Sequence, residues 1–109
     1  MAAKVVKIVI VFVLTGLVIM RMAGLRVTLV TGDSMLPTLA NPQLTIAREV
    51  KPDGLDEGDI GVYLAEDSDL VSHRVIYKTG SGYVFKGDNN VYYDEFVTKD
   101  RVKYKIICY

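Results

Sequence analysis

One cysteine, one histidine and no surplus of charge of either sign leave several chemistries without material in this 109-residue chain. Cys108, next to the last residue, has no second cysteine with which to form an internal disulfide. His73 lies far from it in sequence, so the pair makes no metal framework, and neither a metal nor another cofactor is expected. Thirteen basic residues balance thirteen acidic ones, and nothing in that balance points to nucleic acid as a partner. Internal repeats and low-complexity tracts are absent, and the length allows one small domain. No helical period occurs after Val30.

What is present begins with a single long apolar run. Ile8 to Met20 is interrupted only by Thr15 and Gly16, and it reaches back to Val5 if Lys7 snorkels. A cleavable signal peptide would carry small residues three apart near its end, and Met20 to Leu25 does not. A buried core helix would show a polar stripe, which is also missing. The run is therefore expected to be an uncleaved membrane anchor. Val5–Met20 falls short of the ~20 residues a spanning helix needs, but the apolar Val27–Val30 continues its character beyond Arg26. The expected division is an anchor over residues 1–26 and a β domain over 27–109. Lys4 and Lys7 before the run match Arg21 and Arg26 after it, so flanking charge does not set the orientation.

The remainder reads as short strands bounded by turn residues. Leu44 and Ile46 alternate with Thr45 and Ala47; Ile60, Val62 and Leu64 alternate with Gly61, Tyr63 and Ala65. Leu70–Lys78 is the longest candidate, with Val71, His73, Val75 and Tyr77 expected on one face. A turn over Thr79–Gly82 leads to a return strand over Tyr83–Lys86, and a last strand runs from about Arg101 to Cys108. The expected fold is mainly β: a small antiparallel domain behind one N-terminal transmembrane helix.

Chemistry concentrates in three places. Thr31 to Leu39 holds Ser34 between the turn formers Gly32 and Asp33 and the helix-breaking Pro37, so the serine sits on a defined turn. A nucleophile and backbone N–H donors on one rigid frame are what acyl transfer requires. His73 lies in mid-strand. Antiparallel pairing outward from Lys78 and Tyr83 sets His73 opposite Asp88, a carboxylate beside an imidazole, unless a bulge at Gly87 breaks the register. A second acid, Asp94, follows on the same connection.

The segments Gly32 to Leu39, Gly58-Asp59-Ile60, Ser72-His73-Arg74-Val75 and Gly87-Asp88-Asn89-Asn90 with Asp94 occur in the order and spacing of type I signal peptidases. The histidine resembles the archaeal and endoplasmic-reticulum branch; the bacterial branch has lysine there. The resemblance covers essentially the whole chain. It implies the signal-peptidase/LexA-like β fold and a membrane-bound serine endopeptidase that cleaves signal peptides from preproteins. Ser34 would be the nucleophile, His73 the general base, Asp94 the essential acid and Asp88 a supporting acid. The resemblance thus prefers Asp94 as the partner of His73, the strand register prefers Asp88, and we favour Asp94.

The resemblance also implies a lipid bilayer crossed once, with the N-terminus cytoplasmic and the catalytic domain exocytoplasmic, and leaves accessory subunits open. Gly32 stands where many members have serine, Asp33 where many have a small residue, and Tyr104 where glycine is typical. The segment around Ser34 also resembles LexA-like self-cleaving regulatory peptidases, which would carry a lysine base. A non-catalytic membrane-anchored β domain, with Ser34 and His73 structural, is the third reading.

Overall fold

From Ala2 to Met22 the chain has no proline, and apolar side chains surround the axis, so the segment forms one helix, α1. The computed structural model describes residues 1–109. At ~1.5 Å per residue, α1 is about 31 Å long, close to the ~30 Å of a bilayer's hydrocarbon core. None of its residues is buried, and it is long and apolar enough to cross a membrane.

The helix ends earlier than expected. Gly24 turns the chain at φ +78°, in the left-handed region open to glycine, and its N–H closes on the Arg21 carbonyl at 3.0 Å. Leu25–Val30 is then a strand, β1, so the division at residue 26 falls inside the sheet. Its apolar residues continue the hydrophobic character of α1 but alternate with Arg26 and Thr28, a period suited to pairing. The Arg26 guanidinium reaches Glu49 at 2.6 Å, and the Glu49 N–H donates to the Gly24 carbonyl at 2.7 Å, fastening the joint to the sheet.

The further strands are β2 (Gln43–Glu49), β3 (Ile60–Leu64), β4 (Leu70–Lys78), β5 (Gly82–Lys86), β6 (Val97–Thr98) and β7 (Val102–Cys108). They make one curled antiparallel sheet in the order β1-β2-β7-β3-β4-β5-β6, so β1 is an edge and β3 is central. The core lies in two parts. Leu55, Tyr63, Val75, Tyr83, Phe85, Val97 and Val102 form one. Met35 and Leu39 from the Ser34 turn pack with Ala47, Ile60, Val62 and Ile106 in the other. Successive residues of β3 serve both, which is why the strand is buried on both sides.

Two alternations differ from the simple pattern. On β2 the small Thr45 and Ala47 point inward, Ala47 against Met35 and Leu39 and Thr45 hydrogen-bonded to Thr28, while Leu44 faces outward with Val27 and Leu29. On β4 a bulge falls at Ile76, between the pairs Val75–Phe85 and Tyr77–Val84. It reverses the face of the following residue, leaving Tyr77 exposed while His73 and Val75 stay buried.

The β5–β6 pair needs glycine at position 82, since a Cβ there would collide with the Val97 carbonyl. Backbone cannot yield as a side-chain tip can, so Gly82→Ala should cost about 1–3 kcal/mol, read as a lower denaturation midpoint. An unchanged midpoint would mean that β6 moves away freely.

Candidate active site

The link from β1 to β2 is held in shape by its own short-range bonds. Gly32, at φ +96°, donates its N–H to Asn41 Oδ1 at 2.9 Å, and Asn41 Nδ2 donates to Asp33 Oδ1 at 2.9 Å. The Leu36 N–H closes on the Asp33 carbonyl and the Leu39 N–H on the Met35 carbonyl. Met35 and Leu39, each 1% exposed, pin the turn into the core and leave Ser34 half-buried above it. The Ser34 backbone N–H has no acceptor within the protein.

A second loop grips this turn. The Asn89 N–H donates to the Ser34 carbonyl at 2.8 Å, and Asn89 Nδ2 donates to the Asp33 carbonyl at 3.0 Å. Gly87 permits the approach: a Cβ there would stand 2.6 Å from the Ser34 carbonyl oxygen. Asp88 takes both forks of the Arg74 guanidinium, Nε at 2.8 Å and Nη2 at 2.7 Å, and accepts the Thr38 hydroxyl at 2.6 Å. Arg74 also donates to the Gly58 carbonyl at 2.8 Å. Asp88 thus ties β4 to the Ser34 turn.

The structure brings Ser34, His73 and Asp94 together. His73 Nε2 lies 3.0 Å from Ser34 Oγ, and Nδ1 lies 2.5 Å from Asp94 Oδ2. A carboxylate only accepts, so Nδ1 carries the proton and Nε2 is left to accept the serine hydroxyl. His73 is 8% exposed, opposite Gly61 of β3. Asp94 returns to the sheet because its N–H donates to the Phe85 carbonyl at 2.8 Å.

The pairing of His73 with Asp88 that strand register alone offered does not occur. The register from Lys78–Tyr83 holds through Tyr77–Val84 and then loses one residue at Ile76, so Arg74 pairs with Lys86. The bulge lies on β4 and not at Gly87, and the hydrogen bonds of the Asp88 carboxylate go to Arg74 and Thr38.

Ser34 and His73 open on a cleft of about 410 Å³ between β1 and the start of β4, with Val62 and Tyr104 among its lining residues. Both flanking strands have a free edge there. β1 pairs only with β2, and β4 pairs with β3 but meets β5 only from Arg74 onward. No three of the His, Cys, Asp and Glu side chains stand together as metal ligands would. Tyr63, Thr38 and Asn41 were not legible as site residues. Each belongs to an ordinary strand or turn pattern, and only three-dimensional contact gives it a role. Arg74 had one signal, its place beside His73.

No protein-family model and no curated protein matches the chain.

Arg74 first, then Thr38, holds the Asp88 carboxyl below its ordinary 3.8, against the opposing effect of burial. A depressed folded pKa stabilises the fold fully above the unfolded value and is lost as pH falls through the folded one. Urea midpoints should therefore drop on acidification below about pH 4. Asp88→Asn should flatten this slope in part, since Asp53 beside Lys99 and Asp100 are lowered as well. An identical acid slope in the variant would remove Asp88 from the account.

Proposed function

We propose that the chain is a membrane-anchored serine endopeptidase of the type I signal peptidase kind, with Ser34, His73 and Asp94 as its triad. One observation carries the reading: an unbroken chain of hydrogen bonds from Asp94 through His73 to Ser34, opening on a cleft flanked by free strand edges. In this reading Ser34 Oγ attacks the scissile carbonyl as His73 Nε2 takes its proton. Asp94 stabilises the imidazolium that forms. The Ser34 N–H is available to the developing oxyanion. The imidazolium then protonates the leaving amine. A water activated by His73 cleaves the acyl ester, and the proton returns to Ser34.

The substrate would be an extended peptide added along the free edge of β1, where main-chain hydrogen bonds give affinity and the cleft selects side chains. Signal peptides of exported preproteins suit such an enzyme, since α1 would hold it at the membrane from which they emerge. The proposed orientation puts the N-terminus in the cytoplasm and the β domain outside, on the resemblance alone.

The test is incubation of the purified full-length protein with a preprotein, followed by sequencing of the new N-terminus. Ser34→Ala should abolish cleavage without loss of folding, because it removes one hydroxyl from a half-buried turn. Cleavage at the wild-type rate by that variant would end the hydrolase reading.

Asp94→Asn should cost about 10⁴-fold in kcat, the loss seen when a serine-protease triad is deprived of its carboxylate. Asp88→Asn should cost about ten- to a hundredfold, as one charged hydrogen bond of the brace weakens. The order of the two losses, with circular dichroism to check folding, tests the assignment. A larger loss at Asp88 would reverse it.

A further inference from the structure

We propose that Tyr63 is a positioning residue for the Ser34–His73–Asp94 array, holding the Asp94 carboxylate in the rotation that presents Oδ2 to the imidazole. The proposal rests on the triad reading for its effect on rate, but the geometry behind it is independent of any activity. Asp94 Oδ2 accepts two hydrogen bonds, from His73 Nδ1 at 2.5 Å and from the Tyr63 hydroxyl at 2.6 Å. Its other oxygen, Oδ1, takes none from the protein. The backbone bond to Phe85 fixes where Asp94 starts but not how its carboxylate turns, and rotation about that last bond is soft.

The surroundings would otherwise turn it. A hollow of about 400 Å³ opens beside Asp94, lined also by Glu66, Asp67, Glu95 and Arg101. Arg101 attracts a carboxylate, so the cation and the open space beside it draw on the group that His73 holds. Tyr63 is well placed to oppose them. It is 6% exposed on β3, which pairs with β4 on one side and β7 on the other, and its ring rests on Phe85 with centroids 4.6 Å apart. Burial first, then the bond to Asp94, pushes its phenol far above the usual range, so it remains a donor wherever the enzyme would work. For core packing alone, phenylalanine would serve at this position. The hydroxyl is what a packing role leaves unexplained.

Tyr63→Phe keeps the ring and removes only that hydroxyl. His73 is the sole histidine, so its imidazole can be titrated by NMR in the full-length protein without ambiguity. A carboxylate released from its rotation supports the imidazolium less well. The imidazole pKa should therefore fall below the wild-type value, and the acid limb of the kcat/KM profile should move down with it. On the preprotein, kcat should fall about ten- to a hundredfold, the scale for loss of one hydrogen bond to a charged group, with KM unchanged. In the Asp94→Asn background the same substitution should change neither quantity, because the two residues act through one group.

An unchanged or raised imidazole pKa, an effect on KM alone, or additive losses would each overturn the proposal. Should Tyr63→Phe not fold, the wild type still decides. The Tyr63 hydroxyl proton should shift as His73 titrates, and a signal indifferent to that titration would refute the link. A wild type that cleaves no preprotein would sink the endopeptidase reading while leaving the His73 titration to judge Tyr63.

Discussion

The contact on which the site depends is the clasp between the Gly87–Asn90 loop and the Ser34 turn. The segment from Thr31 to Pro42 belongs to no strand. Its own turn bonds and the burial of Met35 and Leu39 seat it on the core, but neither ties it to the strand that carries His73. The clasp adds the Asn89 N–H on the Ser34 carbonyl, Asn89 Nδ2 on the Asp33 carbonyl and Asp88 on the Thr38 hydroxyl. Because Asp88 is also forked onto Arg74, and Arg74 directly follows His73, the serine and the histidine are referred to one frame. A 3.0 Å approach between two side chains 39 residues apart needs such a shared reference.

The two carboxylates illustrate how environment divides similar groups. Asp88 has its charge met by a guanidinium in a bidentate pair, so little of it is left for anything else. Asp94 has no cation within hydrogen-bonding distance; its donors are an imidazole and a phenol. A proton arriving on His73 therefore gains more from Asp94 than it would from a carboxylate already paired with arginine. In the proposed reaction the acid that stabilises an imidazolium must be the one without a permanent counter-ion. That argument is independent of the strand register and selects the same residue as the contacts.

Much of the sheet was legible, and the failures share a physical origin. Strands β3 and β5 announce themselves by alternation between turn formers, and the Ser34 turn by Gly32, Asp33 and Pro37. Strand β1 did not, because its leucines and valines follow an apolar helix and hydrophobicity alone is blind to the change of period at Gly24. Strand β6 is two residues long, below any periodic signal. The bulge at Ile76 was hidden because Val75, Ile76 and Tyr77 all suit a strand, so composition carried no mark of the extra residue. That one residue moved Asp88 away from His73. Asp94 came from resemblance; its place is made by the backbone bond to Phe85, which no local pattern encodes. Tyr63 was read on the face of β3 opposite Ile60, Val62 and Leu64; the strand is buried on both faces, and alternation says nothing of where a hydroxyl goes.

The joint at Gly24 has a consequence for reach. Strand β1 is both the first element beyond α1 and one wall of the cleft. Its six residues span about 20 Å at ~3.3 Å each, and the Arg26–Glu49 and Gly24–Glu49 bonds deny it a flexible hinge at the start. The distance between the end of the helix and Ser34 is therefore set by a paired strand instead of a linker. In the proposed function an extended substrate lying along β1 would run beside the continuation of the anchor itself. Each residue of such a peptide advances by the same ~3.3 Å, so in that reaction β1 would act as a ruler, with the scissile bond a nearly constant number of residues beyond the membrane. Selection of a cleavage site would then depend on position as well as on side-chain size, and both would be read by the strand that begins at Leu25.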